Sequence, residues 1–471
     1  MEEVKTKSKK AELLINTIII FLGKLSSRFV IFLLLPLYTS ILDPAEYGLA
    51  DLISSYITLL IPVLSLELDM GVFRFLVDVR GDRKQQENVL HNTLYLFNGA
   101  AALFALLYWI INFFVKIPYS LPIFLSIFSG FYWGLLLQVA RGYGDTKSYA
   151  IGSFITGIVT AISNVILIKH FHWGAGGLIL SIGIGYLACI LYFLLKLDLK
   201  NRNPVSLDKP LQKRILKYSL PLIPNTVCWW IINAADRTIV SMFLGVAANG
   251  IYAISTKFPS AVASVFYTFQ VSWSETTAVH INDPDREAFF SDVFDTVLRF
   301  FFSLAIGVVA VMPFIFSFFV KEAYAEAYRY IPIAMVGSLL NCIANMHNGI
   351  YTALKRTDIV AKTATVAGII NIVVDFALMK FAGIYAAFIS TIAAYLWMFL
   401  FKNHNLKQYM NVHYDARVVG LCSVVFGIVI ILYYGNVYWN IAGLVLAVVF
   451  VIWLNRKVLK GVWRRIKGRV S

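Results

Sequence analysis

Four cations, Lys24, Arg28, Arg237 and Lys257, stand deep inside long apolar stretches of the chain. At a helix centre each costs roughly 2.5–3.5 kcal/mol on insertion scales, so the four together approach ~12 kcal/mol. That rivals the whole net stability of many domains, about 5–15 kcal/mol. Basic groups survive at such depth where they face a water-filled interior and bind something there, which points to an anionic cargo. Arginine suits phosphate because its planar fork grips two oxygens at once. Lys24 and Arg28 are four residues apart, hence on one helix face, ~16–22 Å into a ~30 Å apolar core. Asp236 precedes Arg237, and Lys257 lies at a similar depth on the other arm of the same hairpin. An Asp236–Lys257 contact would leave Arg237 available for cargo. The competing role for all four is an internal ion-pair network that only locks helices together.

Asp375 is a second kind of candidate, a deep carboxylate with no cation near it in sequence. Such a group is a proton or sodium site, or else a carboxylate satisfied by hydrogen bonds within its own lobe. Glu67, Asp69, Arg74 and Arg299 fall near the expected cytoplasmic boundary and can snorkel, so they are weaker candidates. Tyr56, Trp229 and Trp230 could stack on sugar rings, although packing against lipid or protein is the commoner use of such aromatics. Asp283-Pro284-Asp285 resembles an acidic metal pair, but its place at a short turn suits a helix cap. There is no phosphate-binding glycine loop, nucleophile elbow or zinc signature. The cysteines at 189, 228, 342 and 422 lack metal-ligand spacing. Enzymatic chemistry, a metal and an organic cofactor are therefore not expected.

The elements that must position these residues are membrane helices. Of 471 residues, 59% are hydrophobic and only 14% charged, far from a soluble domain's half apolar and quarter charged. Apolar runs of about twenty residues mean helices rather than barrel strands. Fourteen spans are expected: 13–42, 48–73, 93–115, 119–140, 150–169, 174–196, 214–244, 249–274, 293–320, 327–353, 360–380, 383–401, 416–434 and 438–455. Met1–Lys10 is charged and runs directly into the first span, so no cleaved leader is expected. With both termini placed in the cytoplasm, 31 of the 41 Lys and Arg fall in cytoplasmic segments and 5 in external loops. That bias fixes the expected orientation. The net charge of +15 then reflects topology and anionic lipid rather than nucleic-acid binding.

The chain also repeats itself. Leu42 through Gly48 aligns with Leu244 through Gly250. Further on, Asp145-Thr146, Gly157, Asn164 and Lys169 align with Arg356-Thr357, Gly368, Asp375 and Lys380. Gly174 and Ser181 then match Gly383 and Ser390. An even number of spans separates the copies, so two six-helix lobes of like orientation are expected around a central cavity. Their bounds are 1–196 and 214–401, with a polar linker at 197–213 and two added spans plus a basic tail over 402–471.

The run Asp236-Arg237 through Gly250-Ile-Tyr252, followed by Lys257, resembles the polysaccharide-transport (Wzx-like) family of lipid-linked oligosaccharide flippases. Leu42 through Gly48 and Met70-Gly71-Val-Phe-Arg74-Phe75 resemble that family's first hairpin. The resemblance covers essentially the whole chain and is more specific for the wider multidrug/oligosaccharidyl-lipid/polysaccharide exporter superfamily than for this branch. It implies an all-α two-lobed exporter in the bacterial inner membrane, moving an undecaprenyl-(pyro)phosphate-linked glycan outward by alternating access. Arg28, Arg237 and Lys257 would then meet phosphate and glycan. Coupling to a proton or sodium gradient through Asp375 or Asp236 is a further expectation, as is contact with a polysaccharide polymerase or assembly proteins. Neighbouring readings are a drug or cation exporter, which should prefer acidic cavity residues, and a lipid II flippase. A membrane glycosyl- or acyltransferase is the reading from a different class.

Overall fold

Every regular element among the described residues is a helix. The structure, a computed structural model, describes residues 34–196 and 207–456, less the side chains at 232 and 233. By internal contacts the chain forms two units, Met1–Ala234 and Ala235–Ser471.

The first unit contains α1 (Leu35–Ile41), α2 (Pro44–Leu64), α3 (Leu68–Asp78), α4 (Arg83–Val115), α5 (Ser120–Gly142), α6 (Thr146–Asn164), α7 (Gly174–Lys196) and α8 (Lys209–Ser219). It also takes the first half of α9 (Leu222–Leu244). The second unit takes the rest of α9, then α10 (Val246–His280), α11 (Arg286–Phe319), α12 (Ala327–Ala353), α13 (Thr357–Ala382), α14 (Tyr385–Leu406), α15 (Ala416–Tyr433) and α16 (Val437–Leu454). Several helices start where the sequence offers a short polar acceptor. Asp43 accepts from the Glu46 N–H at 2.8 Å, Asp208 from Leu211 at 2.9 Å, and Asp415 from Arg417 at 3.0 Å. Each satisfies a backbone donor that the first helical turn leaves open.

The same packing scheme recurs in both units. In the first, α7 packs on α5 and α6; in the second, α14 packs on α12 and α13. Small residues permit the close approach expected between membrane helices. A Cβ at Gly183 would stand 3.2 Å from the Ser126 backbone, and the Ser126 hydroxyl donates across to the Ile179 carbonyl at 2.7 Å.

Eleven described helices are long and apolar enough to cross a membrane, and the bent pair Lys209–Ile231 and Ala234–Leu244 makes up to twelve. The chain is thus a multi-pass membrane protein. Of the fourteen expected spans, most of 13–42 lies outside the described residues. The expected span 249–274 falls within α10, a 35-residue helix rich in Ser and Thr and not apolar enough to count by the same test.

The expected span 48–73 is corrected. It is two helices, α2 and α3, separated at Ser65–Glu67. Leu66 and Glu67 both have positive φ, at 57° and 52°, a conformation that costs roughly 1–2 kcal/mol per non-glycine residue. Pro62 begins the break, with its carbonyl accepting from the Glu67 N–H at 2.9 Å. The linker expected at 197–213 is also partly helical, since α8 begins at Lys209. Leu211 and Ile215 are buried there, while Lys213, Arg214 and Lys217 are exposed. Pro210 occupies its first turn, where a missing N–H costs nothing.

Candidate functional site: a buried acidic cluster in the second unit

α9 and α10 follow one another across a break at Gly245, and α13 and α14 pack together as a hairpin. Side chains from all four helices meet in one polar cluster. Asp236 comes from α9, Tyr252 from α10, Asn371 and Asp375 from α13, and Ser390 and Thr391 from α14. The spacing is helical, since Asn371 and Asp375 are four apart and share a face. The Tyr252 hydroxyl donates to Asp236 Oδ2 at 2.9 Å, and the Thr391 hydroxyl donates to the same oxygen at 3.0 Å. The Ser390 hydroxyl donates to Asp375 Oδ1 at 3.1 Å and accepts from Asn371 Nδ2 at 3.1 Å. Asp375 is 0% exposed and Asp236 3%.

Three oxygens of this cluster, Asp236 Oδ1, Asp375 Oδ2 and Asn371 Oδ1, are buried and have no hydrogen-bond partner among the described residues. Buried polar atoms of this kind require a reason. The two carboxylates also lie within range of each other. Like charges so placed repel unless a proton or a metal cation stands between them. Oxygens from two carboxylates, a carboxamide and hydroxyls form a donor set suited to a hard cation. The residues present therefore fit a proton or a sodium ion.

The repeat has only a neutral counterpart in the first unit. Asn164 aligns with Asp375, and its Nδ2 donates to the Tyr38 hydroxyl at 2.9 Å. At the alignment offsets Thr160 stands for Asn371, Ser181 for Ser390 and Leu34 for Asp236. No carboxylate remains among these positions.

Of the expected cargo-binding cations, Lys24 and Arg28 lie outside the described residues. Arg237, next to Asp236 on α9, is half-buried and lies in electrostatic range of Tyr252. Lys257 is half-buried on α10, and neither of these two cations is without partners. The weaker candidates are engaged locally. Arg74 pairs with Asp78 one turn on, and Arg299 Nε donates to Asp295 Oδ2 at 2.6 Å. Glu67, buried at the α2–α3 break, accepts from the Thr226 hydroxyl. Asp69 keeps one buried oxygen without a donor among the described residues. Trp230 packs on Tyr56 at 5.4 Å and donates to the Ser55 carbonyl at 2.8 Å. These two aromatics are therefore partners of each other. Asp285 stands at the N-cap of α11 with no side-chain capping bond, while Asp283 pairs with His280 at 2.6 Å.

Sequence reasoning placed Asp236 and Asp375 among the coupling candidates, but it missed Tyr252, Asn371, Ser390 and Thr391. The expected span 383–401 stops one residue short of Lys402, and the helix runs on past it. Lys402 lies within α14 and is 1% exposed. A hydropathy window ends at the first charge it meets, whereas the helix continues to Leu406.

A repeat of helices long and apolar enough to cross a membrane, with buried charge in its interior, defines an all-helical polytopic fold. The chain matches the model of the polysaccharide biosynthesis protein family over residues 13–273, and it belongs to that family. Among solved structures it is similar to the lipid II flippase MurJ in an inward closed conformation. The TM-score is 0.73 at 16% identity, covering 95% of this chain and 99% of that one. It is also similar to an inward-facing multidrug resistance MATE family transporter of the MOP superfamily, with TM-score 0.68, 13% identity and coverage of 83% and 98%. A MOP superfamily transporter from Pyrococcus furiosus, described as having a binding pocket of reverse polarity, matches at 0.55, 12% identity, 83% and 94%. No curated protein sequence matches significantly. The fold is accordingly one shared with these solved structures.

Proposed function

We propose that the protein is a flippase that moves an undecaprenyl-(pyro)phosphate-linked oligosaccharide from the cytoplasmic to the outer leaflet of a bacterial inner membrane. It acts by alternating access of two lobes, with no bond made or broken, and serves surface polysaccharide synthesis. Fourteen spans with both termini in the cytoplasm are part of this reading. The observation that carries it is the pair of half-buried cations Arg237 and Lys257 on the consecutive helices α9 and α10, in a chain of the polysaccharide biosynthesis family. Together with Lys24 and Arg28 they would take the phosphate, while the prenyl tail stays in lipid. A polysaccharide polymerase or assembly proteins would receive the flipped product.

The Asp236–Asp375 cluster is proposed as the coupling-ion site, holding a proton or sodium ion between its carboxylates. Because the first unit keeps only neutral counterparts, one such site per chain is proposed. Deleting the gene tests the cargo: a lipid-linked glycan should accumulate on the cytoplasmic face. An unchanged lipid-linked glycan pool would remove the reading.

A second reading has one observation in its favour. The match to the MurJ structure covers nearly the whole of both chains, so lipid II is an alternative cargo with the same pyrophosphate chemistry. Complementation of a strain lacking its lipid II flippase separates the two.

A further inference from the structure

A second buried polar system runs through the second unit, starting at Lys402. Its Nζ donates to Asn348 Oδ1 at 2.7 Å, and among the described residues it has no acidic partner. Asn348 Nδ2 donates to Asn345 Oδ1 at 2.7 Å, and Asn345 Nδ2 donates to Asn341 Oδ1 at 2.5 Å. Asn341 Nδ2 then donates to the Tyr267 hydroxyl oxygen at 3.1 Å. The three asparagines sit at positions i, i+4 and i+7 of α12, one face of one helix. All four bonds point the same way.

An ammonium group has donors only, whereas a carboxamide has one acceptor end and one donor end. Lys402 therefore forces Asn348 to present its oxygen, which turns the Asn348 nitrogen toward the next carbonyl, and so on along the row. At the far end Tyr267 must accept, so its own O–H hydrogen is directed away from Asn341. Tyr395, buried on α14, is close enough to interact electrostatically with both Tyr267 and Asp236. The row thus ends in electrostatic range of Tyr395, which stands one helical turn along α14 from Thr391, a donor to Asp236 Oδ2. α14 itself joins the two ends: Lys402 lies 11 residues beyond Thr391, or ~16 Å along the axis.

We propose that Lys402 is a positioning residue for the Asp236–Asp375 cluster. Through the one-way chain Asn348–Asn345–Asn341–Tyr267 it fixes the direction of the Tyr267 hydroxyl near that cluster, so cation binding depends on the far end of α14. The proposal rests on the reading of the cluster as a cation site. Linked amides polarise one another, so the row should act as a unit rather than as independent pairs.

The test is equilibrium binding of radiolabelled sodium by the purified full-length protein and its variants. Lys402→Met should weaken sodium binding about fivefold or more, a typical coupling between distant sites. Lys402→Arg, which also only donates, should restore it. Asn345→Leu interrupts the row without touching either end and should reproduce the Lys402→Met loss. The double variant should be no weaker than either single one, because both break the same chain. A merely structural lysine would lower melting temperature while leaving sodium affinity intact. Unchanged affinity in Lys402→Met, or losses that simply add, would overturn the proposal alone. Absence of saturable sodium binding in the unsubstituted protein would overturn the sodium-site reading and the proposal with it.

Discussion

Two carboxylates and one guanidinium carry most of the proposed chemistry at the scale of single residues. Asp375→Asn removes one charge of the cluster while keeping its size and hydrogen-bonding reach. Apparent cation affinity should fall by at least about tenfold, as it does when the surroundings of metal sites are altered. The transport rate of this variant should no longer vary across a series of pH or sodium concentrations. A response equal to that of the unsubstituted protein would remove Asp375 from coupling. Arg237→Ala should lower transport about tenfold or more, the value of a charge-assisted hydrogen bond or two. Arg237→Lys should recover only part of it, and full recovery would show that charge alone suffices. Asp236, Asp375 and Arg237 were legible in the sequence because a formal charge inside an apolar run is conspicuous. Asn371, Ser390 and Thr391 were not, since hydroxyls and carboxamides are ordinary in membrane helices and only their convergence from different helices distinguishes them. The burial of Lys402 was not legible because it stands one turn from the end of α14, where hydropathy cannot tell a snorkelling lysine from a buried one.

The helices owe their ends to local chemistry, and Asp145 shows how that can be measured. It caps α6, accepting from the Ser148 N–H at 2.9 Å and the Ser148 hydroxyl at 2.6 Å, with the Lys196 ammonium at 3.2 Å. Burial works against ionisation there, but the Ser148 donors and Lys196 outweigh it, so the carboxyl is held below its usual range. A lowered value means a contribution to stability that is present above the unfolded-state pKa and is lost as pH falls through the folded one. Asp145→Ala should therefore cost about 1 kcal/mol near neutrality. The loss should shrink in acid, below the carboxylate range, when thermal unfolding is followed against pH. A cost that is constant across that range would contradict the cap's charge dependence. Span existence was readable from apolar length alone, because lipid leaves a helix no other way to satisfy its backbone. The α2–α3 break was not, because two non-glycine residues adopt a left-handed backbone and Pro62 by itself is tolerated within membrane helices. The expected span 249–274 is a different case, because α10, the 35-residue helix that contains it, is not apolar enough to count as a crossing.

For the whole molecule, the internal repeat was visible in glycines, caps and one Asn–Asp exchange, and the recurrence of α5–α6–α7 as α12–α13–α14 gives it structural content. Where the second unit has Asp375 in its acidic cluster, the first has Asn164 in a neutral hydrogen bond, and the proposed single ion site per chain rests on that exchange. For cargo the sequence offers only an expected sign of charge, since deep cations suit an anion and no residue specifies a sugar. The central claim is that this protein carries lipid-linked glycans by their phosphate. Its most direct measurement is transbilayer movement in proteoliposomes, comparing a prenyl-pyrophosphate-linked glycan with the same glycan on an uncharged prenyl carrier. The account predicts movement of the pyrophosphate-linked lipid alone, reduced by Arg237→Ala. Equal movement of both lipids, unaffected by that substitution, would contradict it.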